Sequence, residues 1–127
     1  MDVSQLKRVA LFADVPEESL KKIAPFTKVD EFAEGKVVIR EGGFSNDFYV
    51  IVEGTAKVDR EGEHIADLGP GDVFGEQGLL ERQQRSATVT ATDTLRVITI
   101  EHWELSRMKK SMPEVVEQLQ QQVEQRS

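Results

Sequence analysis

The chain has 127 residues, a formal net charge of −7 and no cysteine. This length suits one domain with a real core, and the acidic charge argues against direct nucleic acid binding, which needs many lysine and arginine contacts to phosphates. The absence of cysteine excludes disulfides and thiolate metal sites and is expected of a cytoplasmic protein, and no apolar run approaches the roughly 20 residues of a membrane-spanning helix.

The first zone, residues 1–26, is predicted to be helical. Its first helical face would consist of Val3, Leu6 and Ala10. A second, short helix is predicted after Asp14-Val15-Pro16-Glu17, which has the form of a capping box, with an acceptor at the N-cap three residues before an acid. The apolar stripe of this second helix would consist of Leu20, Ile23 and Ala24. Pro25 is expected to end it nearby.

The second zone, residues 27–100, is predicted to be rich in β-strands. Short β-branched runs recur between glycine-containing turns, which is typical of a small antiparallel barrel or jelly roll. The predicted strands are 36–40, 47–53, 55–60, 64–68, 86–92 and 95–100. In strand 86–92, alternation places Ala87, Val89 and Ala91 on one face. Arg85 has the parity of that face, so its side chain is expected to point inward.

The third zone, residues 101–127, is predicted to return to helix. Ser111-Met112-Pro113-Glu114 has the form of another capping box. Val116, Leu119 and Val123 follow with helical spacing and predict an apolar stripe on a last helix. Together with Met112 they also fit a short heptad seam, so the stripe could pair two chains.

The most informative stretch runs from Phe74 to Val89, and we call it the cassette. It begins as a strand end and a glycine-opened turn, continues as a polar loop, and leads through Arg85 into a second strand. A turn of this kind offers unpaired backbone N–H groups, which favour anions. With one carboxylate and one guanidinium nearby, the stretch suits a ligand that carries a phosphate and a sugar hydroxyl.

The cassette closely resembles the phosphate-binding cassette of cyclic-nucleotide-binding domains, including the spacing from Glu76 to Arg85. The stretches 46–54 and 68–76 resemble the family's strand-and-turn signature and its approach to the cassette. The resemblance covers nearly the whole chain. It implies a mainly β fold, an antiparallel β-roll of the jelly-roll type, with N-terminal helices and a C-terminal hinge and lid. It also implies a regulatory ligand, cAMP by default, and no cofactor.

The resemblance implies roles for individual residues. Backbone N–H groups near Gln77 and Gly78 would hold phosphate oxygens. The fork of Arg85 would bind two oxygens of one phosphate, and Glu76 would accept a hydrogen bond from the ribose 2′-hydroxyl. The predicted ligand-binding residues are Gly75, Glu76, Gln77, Gly78, Arg85 and Ser86.

The base end of the site is less determined by the sequence. Trp103 is expected to be a core residue of the hinge helix rather than a cap on the base. Ser86 is compatible with cGMP as well as cAMP, and pyrimidine cyclic nucleotides stay open. The loop 81–84 lacks the glycine and proline common in the family, and Gln77 replaces an apolar residue, so the loop path and local packing can differ.

Three other classes of protein compete with a cyclic nucleotide sensor. A metal-dependent enzyme of the cupin type would need clustered ligands, whereas the chain has only His64 and His102, far apart; we therefore expect no enzyme activity and no metal site. A DNA-binding regulator would need a further module after Ser127. A degenerate roll that binds no ligand and acts as an interaction or dimerisation module stays the main alternative. For a sensor, the expected mechanism is closure of the stripe at Val116 over the base.

Overall fold

The computed structural model describes residues 3–9, 12, 13, 15–43, 47–74 and 87–126, with only the backbone of residues 102, 119 and 122–126. The helices are α1 (Val3–Lys7), α2 (Glu17–Ile23), a 3-10 helix (Ala24–Phe26), α3 (His102–Ser111) and α4 (Pro113–Arg126). The strands are β1 (Lys28–Phe32), β2 (Val37–Ile39), β3 (Phe48–Glu53), β4 (Ala56–Arg60), β5 (Glu63–Leu68), β6 (Val73–Phe74), β7 (Thr88–Ala91) and β8 (Leu95–Ile100).

The described strands form two antiparallel four-stranded sheets. Sheet 1 has the order β1-β8-β3-β6, and sheet 2 has the order β2-β7-β4-β5. Strands that are neighbours in space are mostly distant in sequence, as in β1 and β8, where Lys28 lies opposite Thr99. This arrangement, flanked by helices at both ends of the chain, confirms the predicted antiparallel roll.

The two faces of sheet 1 bury two different sets of apolar side chains, because successive residues of a strand point to opposite faces. In β3, Tyr49 and Ile51 point into the interior between the sheets. Phe48 and Val50 point to the outside, where the helices cover them. Sheet 1 therefore separates an inner core, inside the roll, from an outer core under the helices.

The outer core joins the beginning and the end of the chain. Leu6 and Phe12 from the N-terminal segment and Leu20 from α2 are fully buried in it. Leu105 of α3 and Val115 of α4 belong to the same cluster. Burial of each such side chain contributes about 1.5–3 kcal/mol relative to exposure, so the terminal helices hold each other on the sheet.

Both predicted capping boxes are wrong. Helix α2 begins at Glu17 with Pro16 at the N-cap position and no side-chain cap hydrogen bond. Ser111 is the last residue of α3, and its hydroxyl donates to the carbonyl oxygen of Arg107 at 2.9 Å. Helix α4 begins at Pro113, so the residue at its N-cap position is Met112 and not Ser111. The end of α2 at Ile23, two residues before Pro25, agrees with the prediction.

Strand β1 was not predicted from the sequence, and β6 was expected only as a strand end at Phe74. In β1 the exposed positions carry Lys28 and Glu31, and Val29 is exposed too, so no apolar alternation marks the strand. Strand β6 has two residues, Val73 and Phe74, which is too short for any periodicity. The neighbours of these strands create both of them, since β8 pairs with β1 and β3 pairs with β6.

Candidate functional site

The six predicted ligand-binding residues lie outside the described residues. Gly75, Glu76, Gln77, Gly78, Arg85 and Ser86 all fall in the gap 75–86. Their roles therefore stay predictions. What the structure describes is the frame of the cassette, namely the strand that enters it, the strand that leaves it and the surface between them.

The chain enters the cassette from β6, the strand at the edge of sheet 1. Phe74, the last residue of β6, lies opposite Tyr49 of β3. Their rings stack with centroids 4.8 Å apart and planes 13° from parallel, and both side chains are buried. An aromatic pair of this kind contributes about 0.5–1.5 kcal/mol beyond the area it buries. The entry point is thus fixed to the central part of sheet 1.

The chain leaves the cassette through β7, an inner strand of sheet 2. Thr88, its first residue, lies opposite Asp59 of β4. The hydroxyl oxygen of Thr88 accepts a hydrogen bond of 3.0 Å from the backbone N–H of Glu41. The carboxylate of Glu41 in turn accepts a hydrogen bond of 2.9 Å from the backbone N–H of Glu61. The exit is therefore tied to the loop after β2 and, through it, to the tip of the β4–β5 hairpin.

Sequence reasoning missed Glu41 and Thr88 as supports of the site. In the sequence, Thr88 belongs to the face of the strand opposite the apolar one, and Glu41 only precedes two glycines. Nothing local signals their contact, because 47 positions separate them along the chain. The predicted alternation in this strand is confirmed, since Val89 and Ala91 are buried and Thr88 and Thr90 are not.

The surface between the two ends of the cassette is apolar. Ile39, Tyr49, Phe74 and Val89 belong to the inner core there. Among the described residues, Thr99 is the only buried polar side chain, and its hydroxyl donates to Asp30 at 2.6 Å. The described interior thus contains no buried charge. A phosphate bound at this place would have to take its charged and N–H partners from the cassette itself.

The C-terminal helix α4 packs on the N-terminal helices instead of standing free. Val116 is 3% exposed and lies in the outer core, next to Val115. Gln118 of α4 accepts a hydrogen bond of 2.7 Å from the hydroxyl of Ser19 in α2. Val116, the first residue of the predicted stripe, is thus used by the chain's own core in the described state, and the roles predicted for the stripe stay predictions. The structure does not describe the side chains of Leu119 and Val123.

Trp103 is not a core residue, and that prediction is also wrong. Its side chain, at the start of α3, is 48% exposed. The indole N–H donates to the carboxylate of Glu101, which also pairs with Lys28 at 2.5 Å. Because Lys28 is on β1, this group of three links the edge of sheet 1 to the start of the C-terminal helices.

The same contacts affect the protonation of Lys28. The hydrogen bond with Glu101, and after it the negative charge of Asp30, raise the pKa of the Lys28 ammonium above its ordinary value. The Lys28–Asp30 distance is 3.9 Å, and half of the lysine side chain is exposed. The junction between sheet 1 and α3 is thus held by a charged contact that favours protonated lysine.

Among the described residues, no group of three or more His, Asp or Glu side chains has an arrangement that could hold a metal ion. His64 lies between two carboxylates, 3.7 Å from Asp59 and 3.3 Å from Asp67, on the exposed β4–β5 hairpin. None of the described helices has the length and apolar character needed to cross a membrane.

Comparison with known proteins identifies the family to which this chain belongs. The family model for the cyclic nucleotide-binding domain matches residues 29–111, which include the whole cassette. The resemblance found in the sequence is thereby confirmed.

Individual relatives agree with the family match. The cAMP-dependent protein kinase regulatory subunit of Schizosaccharomyces pombe is 32% identical over 106 residues, covering 83% of this chain and 26% of that protein. The chain thus spans about a quarter of that relative's length. A crystal structure of a protein from Geobacter metallireducens has the same fold, with a TM-score of 0.88, 22% identity and coverage of 98% and 94% of the two chains.

A third relative was solved with a ligand. The co-crystal structure of the regulatory domain of Toxoplasma gondii PKA with cAMP has a TM-score of 0.78 and 25% identity, and the match covers 97% of this chain and 48% of that one.

Proposed function

Because this chain belongs to the cyclic nucleotide-binding domain family, we propose that it is a regulatory module that binds cAMP in the cassette. The observation that carries the proposal is the family match over residues 29–111, which contains every predicted ligand-binding residue. The relatives support a sensor without catalytic activity, since the matched fungal protein is a regulatory subunit. The cytoplasmic location, any effector and any dimer formed through the C-terminal helix stay proposals as well.

In this proposal the ligand is held by a few aimed groups rather than by the field of the whole protein. The net charge of −7 repels anions, so the cyclic phosphate needs local donors. Arg85 would supply a bidentate contact, and the N–H groups of the turn from Gly75 to Gly78 would supply neutral ones. Ser86 would add a hydroxyl, and Glu76 would accept from the ribose 2′-hydroxyl.

The frame supports this arrangement because it fixes both ends of the cassette. The stacked pair of Phe74 and Tyr49 holds the entry, and the bond from Glu41 to Thr88 holds the exit. A turn anchored in two different sheets can keep its donors in place before the ligand arrives. Such preorganisation lowers the entropic cost of binding.

The proposed signal is a displacement of the C-terminal helices. Helix α4 is attached to the N-terminal helices by Val115, Val116 and the Ser19–Gln118 hydrogen bond. A ligand can shift its position only by binding one arrangement more tightly than the other. Because Val116 of α4 is buried in the outer core in the described state, closure of α4 over the base would first require that contact to open.

The proposal is tested by calorimetric titration with cAMP, cGMP, cCMP and cUMP, with 5′-AMP as the acyclic control. We expect saturable binding of cAMP, weaker binding of the other cyclic nucleotides and none of 5′-AMP. If none of the cyclic nucleotides binds, the chain is the degenerate interaction module that the sequence left as the alternative. If another cyclic nucleotide binds more tightly than cAMP, the sensor proposal stands and its ligand is corrected.

A further inference from the structure

A cleft lies on the helix-covered face of sheet 1, away from the interior that Phe74 faces. It has a volume of about 680 Å³, within the range of small-molecule sites, roughly 300–1,000 Å³. One wall is the turn that follows α1, with Arg8 and Val9. The other is the sheet, where Val29, Val52 and Arg96 line it.

The cleft exists because the outer core covers only part of the sheet. Val29 of β1 lies opposite Ile98 of β8, so the two side chains share a face. Ile98 is fully buried under the helices, whereas Val29 is 43% exposed. The apolar floor of the cleft therefore continues the outer core beyond the point where helices cover it.

Two arginines from distant parts of the chain line this floor. Among the residues that the structure describes, Arg8 forms no ion pair, and Arg96 forms one long ion pair, of 3.9 Å, with Glu53. Glu53 also lines the cleft. With two guanidinium groups and one carboxylate, the cleft carries one net positive charge in a protein whose total is −7. Its charge is thus opposite to that of the molecule as a whole.

We propose that this cleft is a second ligand site, which binds an amphipathic carboxylate with an apolar chain. Guanidinium groups match the geometry of a carboxylate, and the single net charge suits a monoanion better than a phosphate dianion. The apolar part of the ligand would cover Val29 and Val52. The site is independent of the cyclic nucleotide proposal, since it uses none of the residues of the cassette.

Octanoate is a suitable probe, and octylammonium is its control of opposite charge. Backbone amide NMR locates the ligand, and calorimetry measures its affinity. We expect octanoate to bind and to shift the amides around Val29, Val52 and Arg96. Octylammonium should not bind there. Absence of octanoate binding, or equal binding of octylammonium, would overturn the proposal.

Variants with matched controls test the individual contacts. Loss of a hydrogen bond to a charged group lowers affinity about tenfold or more, and we expect this for Arg8→Gln and for Arg96→Gln. Arg107→Gln is the control for Arg96, because Arg107 has a similar 3.9 Å contact with Glu104 on α3. Ile65→Ser, at an apolar side chain 46% exposed, is the control for Val29→Ser, which should weaken binding.

The outcomes separate this site from the cassette. Arg85→Ala should leave octanoate binding unchanged whether or not it affects cAMP binding. If Arg85→Ala abolishes octanoate binding, the carboxylate occupies the cassette and the proposal is wrong. Equal losses in Arg96→Gln and Arg107→Gln would likewise mean that the cleft is not the site.

Discussion

The hydroxyl oxygen of Thr88 accepts a hydrogen bond of 3.0 Å from the backbone N–H of Glu41. This contact attaches the first residue of β7 to the loop after β2, 47 positions earlier in the chain. Since Ser86 is two positions before Thr88, the bond lies at the point where the cassette returns to the sheet. With the stacked pair of Phe74 and Tyr49 at the other end, it is one of two contacts through which we expect the described frame to affect the predicted ligand site.

The first prediction follows from that contact. Thr88→Val keeps the shape and β-propensity of the side chain but removes the acceptor. We expect a loss of about 0.5–1.5 kcal/mol in the free energy of unfolding, measured by urea denaturation, and weaker cAMP binding in calorimetry. Thr90→Val is the control, because Thr90 lies on the same face of β7. If both variants bind cAMP like the wild type, the exit of the cassette does not depend on this bond.

Gly54 provides a test of the fold. It follows β3 with φ at +87°, and a Cβ built there would lie 2.2 Å from the carbonyl oxygen of Thr94. Gly62 has a similar φ of +82° but open space around it. Strain alone should cost Gly62→Ala about 1–2 kcal/mol, and we expect Gly54→Ala to lose about 1–3 kcal/mol more because of the clash.

Thermal or urea unfolding of the two glycine variants measures this difference. Equal losses of unfolding free energy in the two variants would show that the β3–β4 turn lies farther from Thr94 than the structure describes. The carboxylate of Asp93 accepts the N–H of Thr55 at 2.8 Å in the same turn, so a shift there would also break that bond.

The junction at Lys28 should give the chain a weak alkaline sensitivity. Contact with Glu101 raises the pKa of Lys28 in the folded state. A raised lysine pKa stabilises the fold below the unfolded value, and the stabilisation is lost as the pH rises through the folded value. Since half of the Lys28 side chain is exposed, we expect at most about 1 kcal/mol from this ion pair.

The direction of this pH dependence is tested by comparing the unfolding of Lys28→Met and the wild type at pH 7 and above about pH 11. The higher pH is chosen because the ordinary lysine pKa is near 10.4. The destabilisation seen at pH 7 should shrink at the higher pH. Lys36→Met, at a lysine for which the structure describes no ion pair, serves as the control. A difference that persists unchanged above pH 11 would contradict the role of the charged contact.

Trp103 should report on the C-terminal helices, since it is the only tryptophan in the chain. It is half exposed and bonded to Glu101 at the start of α3. If cAMP moves these helices, its emission should change and saturate with the dissociation constant found by calorimetry. Glu101→Gln should alter the emission of the free protein, which confirms the contact. Saturation by cAMP without any change in emission would mean that α3 does not move.

The central part of the fold could be predicted from the sequence because its strands alternate or are strongly apolar. Strand β8 has the predicted bounds, Leu95–Ile100, and β7 buries the face that its alternation indicates. Strand β1 could not be predicted in this way, since it lies at the sheet edge with charges on its exposed positions. Pairing with β8 makes it a strand.

The terminal helices show where local patterns mislead. Helical spacing selected Val116, Leu119 and Val123 as one stripe, but Val116 is buried beside Val115 against the N-terminal helices. Helical periodicity predicts which face of a helix is apolar, but it does not predict the segment against which that face packs. Trp103 was expected in the core of the hinge helix, whereas its N–H bonds to Glu101 at the surface. The packing of Val116 joins segments far apart in the chain, whereas Trp103 turns to a carboxylate only two positions away.

The central claim, that the cassette holds a cyclic phosphate through Arg85, is tested most directly by one titration. Calorimetry with cAMP should show a loss of about 2–5 kcal/mol in binding free energy for Arg85→Ala, because a bidentate charged contact is removed. Arg82→Ala, an arginine three positions earlier in the same loop, should bind like the wild type. Equal affinity of Arg85→Ala and the wild type, or equal losses in both variants, would contradict the account.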